Sequence, residues 1–173
     1  MRNSKHIHIY ISAVLDEIKS KMHTTGKNRG ETDKQHAQIQ EGAEVAHEKD
    51  MMRSIHTTLA EVLHLLSEYN TKRADDANDA PLDKESDIDL MLTVPMNFDS
   101  SVLPAVAKHI HNAMVDEGCA DWCRLVGLQD EATYLQLKAK ELTSLRMAMM
   151  ARVRPARTSR PQIVNTHTGV ELQ

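Results

Sequence analysis

The sequence predicts a mainly α-helical chain with one extended segment, and three observations carry that prediction. The apolar interior must be built from Leu, Ile, Val, Ala and ten Met, because aromatic residues make up only 3% of the chain. Apolar residues recur at steps of three and four along four stretches, and a single further run alternates with period two. Met fills irregular gaps between helices, whereas sheet sandwiches lean on aromatic and β-branched pairs. At 173 residues the chain fits one helical domain, 1–153, followed by an extended C-terminal arm, 154–173.

The first helix is expected over 7–22, where Ile7, Ile11, Val14, Ile18 and Met22 form one apolar stripe, and it stops at Thr24-Thr25-Gly26. Residues 27–33 are polar and read as a loop. A second helix is expected over 34–69. Its first half is poor in apolar residues and contains Gly42, while its second half carries Met52, Ile55, Leu59, Val62, Leu66 and Tyr69 at helical spacing. The polar, acidic stretch TKRADDANDAPLDKES then reads as a surface linker.

Residues 87–95, DIDLMLTVP, alternate with Ile88, Leu90, Leu92 and Val94 on one side. That is a strand, and a lone strand leaves N–H and C=O groups in need of a partner, from an internal hairpin or from the edge of another chain. A third helix, 100–126, is capped within Asp99-Ser100-Ser101, tolerates Pro104 in its first turn and ends at Gly127, with Gly118 as a candidate bend. The fourth, 129–152, has Ala132, Leu135, Ala139, Leu142, Leu145 and Met149 as its stripe and forms an antiparallel hairpin with the third. Together these make a four-helix bundle-like domain with one strand-like segment.

Charge is unevenly placed. Eight acids lie from Asp75 to Asp99, and five arginines lie from Arg146 to Arg160 with no acid among them, although the net charge is −4. Cys119 and Cys123, four apart on a helix, suit a reduced intracellular protein better than a disulfide. The polar N-terminus does not read as a signal peptide, and no apolar run is long enough to span a membrane.

Candidate chemistry is sparse. His6 and His8, like His109 and His111, are two apart, which places them on different faces of a helix and prevents chelation unless the backbone is extended. The Cys119/Cys123 pair has no second pair of ligands at metal-site spacing. Nucleophile, phosphate-loop and zinc-protease motifs are lacking, so the expectation is no catalytic residue, no cofactor and no metal. Asp87 and Asp89 share a strand face, which suits acid–base work or plain solvation. The arginine-rich RVRPARTSR suits phosphate, but it equally suits the acid-rich segment of a neighbouring copy. The interface residues expected from that pairing are Arg152, Arg154, Arg157 and Arg160 on one side and Asp87, Asp89, Ile88, Leu90 and Leu92 on the other.

Trp122 in the third helix, the strand ending in Val94-Pro95, and Arg152-Val153-Arg154-Pro155 closing the fourth helix give the chain a layout that resembles small structural proteins of phages and prophages of gut Bacteroides-type hosts. These in turn are similar to the α-helical head-to-tail connector (adaptor) proteins of tailed phages. The resemblance implies a non-enzymatic virion component in the neck: a ring of copies, often twelve, seated on the portal and touching neighbouring tail proteins. DNA would lie in its channel, and no membrane would be involved. The rival expectation is a helical regulator that binds nucleic acid through the arm.

Overall fold

A computed structural model describes residues 2–29, 48–73, 82 and 87–150. The elements run β1 (Arg2–Tyr10), α1 (Ile11–Arg29), α2 (Glu48–Leu65), a 3-10 turn (Ser67–Tyr69), β2 (Lys72–Arg73), β3 (Asp87–Pro95), a second 3-10 turn (Ser100–Val102), α3 (Leu103–Val126) and α4 (Glu131–Met150). The chain is mainly helical, as expected. The extended segment does not stand alone, however: β3 is the middle strand of a sheet of order β1-β3-β2, antiparallel to both neighbours.

The partner of β3 comes from residues expected to open the first helix. Ile7 and Ile11 sit four apart, a spacing that helical and period-two patterns share, but KHIHIYI alternates strictly and brings Ile7 and Ile9 to one face only when extended. Both are buried, opposite Leu90 and Ile88. The helix therefore starts at Ile11 and continues to Arg29 through Gly26, a residue that weakens a helix by about 1 kcal/mol without ending it. Of the helix expected over 34–69, the described part is α2; residues 34–47 lie outside the described residues. Asn70 and the turn before it end that helix earlier than expected.

α3 is the hub. It packs against α1, α2, α4 and β1, and Val106, Ile110, Met114, Cys119, Trp122 and Cys123 join the inner face of the sheet in one core. Asp99, whose carboxylate accepts the Ser101 N–H at 3.1 Å, caps the 3-10 turn that runs into α3, and Gly127 at φ +71° ends the helix. The Gly127 and Leu128 N–H groups donate back to Arg124 and Cys123. That left-handed turn suits a glycine and reverses the chain into α4.

α4 keeps the second half of its expected stripe, with Leu145 and Met149 buried and Leu142 packed against the core, and departs from it in the first half. Its buried side chains are Lys138, Leu145 and Met149, while Ala132, Leu135 and Ala139 are exposed. Lys138 reaches Glu61 of α2 and Glu117 of α3, at 2.9 Å each, which turns this face of the helix inward.

Gly118 does not break α3; it is where α1 crosses it. A Cβ at this position would meet Ile18 Cδ1 at 2.5 Å, and Ile18 is fully buried. Gly118→Ala is expected to cost about 1–3 kcal/mol by overpacking, less the helix propensity it gains. Ile18→Val removes the clashing methyl, so thermal melts of the single and double variants should show the second change recovering part of the loss. A double variant as unstable as the sum of the singles would refute the clash.

Candidate functional site

Of the expected interface residues, Ile88, Leu90 and Leu92 are fully buried in the chain's own core, because β1 supplies their strand partner and the helices cover their face. They hold this fold together and present nothing to a neighbour. Asp87 and Asp89 lie on the opposite, outward face of the sheet. Arg152, Arg154, Arg157 and Arg160 lie outside the described residues.

The outward face gathers residues that helical spacing would have separated. His6, His8 and Tyr10 project from β1, with Asp89 and Asp87 beside them on β3. The Asp89 carboxylate oxygens lie 3.0 and 3.1 Å from His6 Nδ1, and Oδ1 lies 3.6 Å from His8 Nδ1. The two imidazoles stack with centroids 6.2 Å apart and planes 17° from parallel. The second histidine pair behaves as a helix dictates: His109 Nδ1 meets Glu141 of α4 at 2.6 Å, and His111 Nε2 meets Glu17 of α1 at 2.9 Å.

Two charged clusters lie between helices. Burial alone would lower the Lys138 ammonium's pKa, but the carboxylates of Glu117 and Glu61 outweigh it and hold the pKa above its ordinary value. A lysine so held stays charged and acts as a strut joining three helices, not as a nucleophile. In the second cluster, Lys21 Nζ lies 3.3 Å from the buried Asp116 carboxylate and 3.5 Å from Glu17. Burial pushes Asp116 up, against the pull of Lys21, whereas the His111 hydrogen bond, helped by Lys21, outweighs the burial of Glu17 and draws that carboxyl down. The thiols of Cys119 and Cys123 are buried and pushed up by burial to about 12 and about 11, which makes both poor nucleophiles.

The remaining surface feature is apolar. Leu135, Leu137, Met147 and Met150 of α4 are 36 to 65% exposed, and Leu125 and Val126 at the end of α3 are also uncovered. A shallow cleft of about 260 Å³ opens between the C-terminal ends of α2 and α4, walled by Leu65, Leu66, Tyr69, Met149 and Met150 with Arg146 at its rim. It falls below the roughly 300–1,000 Å³ of small-molecule sites, but it would seat a protruding side chain. Of these α4 residues, sequence periodicity assigned only Leu135 to the core; Leu137, Met147 and Met150 fell outside the expected stripe.

The Asp116 carboxyl titrates above its ordinary value in the fold, so the folded chain holds that proton more tightly than the unfolded chain. Its contribution favours the fold below the unfolded pKa and is lost as pH rises through the folded value. Asp116→Asn should therefore flatten the stability profile across that acid window in urea titrations at stepped pH, and should cost little at pH 7. A steep loss at pH 7 would mean that the Lys21 pair outweighs the burial of the charge. Lys138→Ala, by contrast, strands a mostly buried Glu117 and is expected to cost about 3 kcal/mol, read from the same titrations. No family model, curated protein or solved structure matches the chain.

Proposed function

We propose that the chain is a structural subunit that works by assembling with copies of itself, in the manner of the head-to-tail connector rings its layout resembles. The observation that carries this reading is the set of large apolar side chains that α4 leaves uncovered. Four large apolar side chains stand in water along a 20-residue helix about 30 Å long. Covering them contributes on the order of 1 kcal/mol each, after allowing for their partial exposure. Large apolar side chains left uncovered in this number on one element favour a surface that meets another protein.

The basis for assembly thus moves from the strand, which β1 completes within the chain, to the last helix. That helix leads directly into the arginine-rich arm. In a ring, Arg152, Arg154, Arg157 and Arg160 would meet the acid-rich linker of the next copy and speed docking by charge complementarity. The portal and neighbouring neck proteins would be the further partners, and the virion neck the site of action. Two residues that carry the resemblance, Trp122 and Val94, are core residues, so the likeness they convey is first one of fold.

Light scattering and negative-stain microscopy of the full chain test the proposal. Rings with an open channel are expected at micromolar concentration. Leu137→Glu with Met147→Glu should yield monomers of unchanged helical circular dichroism, because both sites are on the surface. Removal of residues 154–173 should likewise abolish rings while preserving helicity. A wild-type chain that stays monomeric at all accessible concentrations would overturn the reading.

A further inference from the structure

We propose that His6, His8 and Asp89 form a surface site for a divalent transition-metal ion such as Zn2+. Two imidazole nitrogens would come from one strand and a carboxylate from the next. The extended backbone of β1 is the first requirement, since residues two apart share a face only in a strand, with about 6.6 Å between successive outward positions. The 6.2 Å between the imidazole centroids matches that spacing.

The register supplies the third donor. His8 stands directly opposite Asp89, and His6 is its diagonal neighbour, so the carboxylate is presented to both imidazoles. In a tetrahedral zinc site with bonds of about 2.0–2.1 Å, ligand atoms lie about 3.3 Å from one another. Asp89 oxygens lie 3.0 and 3.1 Å from His6 Nδ1 and 3.6 Å from His8 Nδ1, which brackets that separation. No three His, Cys, Asp or Glu side chains among the described residues are already placed to hold a metal ion, so rotation of the rings must accompany binding. Little opposes that turn. The side chains of His6, His8 and Asp89 are 43%, 58% and 31% exposed, and a solvent-facing imidazole–carboxylate contact is worth at most about a kilocalorie.

Imidazole nitrogen with one carboxylate favours zinc, copper, nickel or iron over magnesium or calcium. The open coordination positions would face solvent and take water. Bound there, the ion would fasten β1 to β3 from the outward face, opposite the apolar core that holds them on the inward face.

Isothermal titration of the full-length chain with Zn2+, with Mg2+ as the contrasting ion, tests the site. One Zn2+ per chain with micromolar affinity and no Mg2+ binding is expected. His6→Gln with His8→Gln, and separately Asp89→Asn, should each weaken Zn2+ binding by about tenfold or more with unchanged circular dichroism. Replacing the helix pair, His109→Gln with His111→Gln, should leave it unchanged. Added Ni2+ should perturb the His6 and His8 imidazole proton signals before those of any other histidine. Failure of the wild type to bind Zn2+, or equal binding by the strand double variant, would overturn the proposal. Neither result bears on ring assembly, which is read by mass.

Discussion

The antiparallel ladder between β1 and β3 sets which side of the sheet faces the core and which faces outward. Its nine residue pairs run from Arg2 opposite Pro95 to Tyr10 opposite Asp87. With a side-chain period of two, a slip of one residue would turn Ile7 and Ile9 to water and drive His6 and His8 into the core. The inward row of Ile7, Ile9, Ile88, Leu90, Leu92 and Val94 holds the register, because each loses its burial in any neighbouring alignment. β1 is an edge strand, and the half-buried Lys5 on its inner face gives that edge a charge that discourages unplanned pairing.

The helices lock onto this sheet through α3, and their mutual positions rest on more than apolar contact. Lys138 spans three helices, and the Lys21 cluster joins α1 to α3 with His111 and Glu17 beside it. Buried charge is a costly way to hold a fold, since desolvation offsets much of the attraction. Its value here is orientation: with Lys138 directed inward, the apolar residues of α4 that face away from it have no cover from the chain itself. The same contact that fastens α4 therefore decides what the molecule offers to a neighbour.

Much of the helical framework was legible in the residues. The spacings in α3 and in the second half of the expected second helix named most of the residues that fill the core, Asp99 marked the cap of the turn leading into α3, and Pro104 and Gly127 marked that helix's first turn and end. β1 was not legible as a strand because Ile7 and Ile11 satisfy two periods at once, and the choice between them is made by β3, 80 residues away in the chain. The burial of Lys138 on α4 was hidden for a similar reason, since a lysine reads as a surface residue until two glutamates from other helices are seen to meet it. The His6, His8 and Asp89 grouping was invisible on both counts, because it needs β1 to be extended and the register with β3 to be known. The spacing of His109 and His111, which depends only on a helix, was read correctly.

The separation of the two strands has a consequence for how the molecule is made. β1 leaves the ribosome well before β3, which is encoded after both α1 and α2. At roughly 5–20 residues per second, the 77 positions from Tyr10 to its partner Asp87, the nearest pair, take about 4–15 s to synthesise. Throughout that interval a strand with isoleucines on one side and unpaired amides along both edges has no native template. The helical segments that follow can form locally within microseconds but cannot bury it. The nascent chain thus carries an apolar strand exposed through that interval, and shielding of Arg2–Tyr10 until β3 appears becomes a condition of yield.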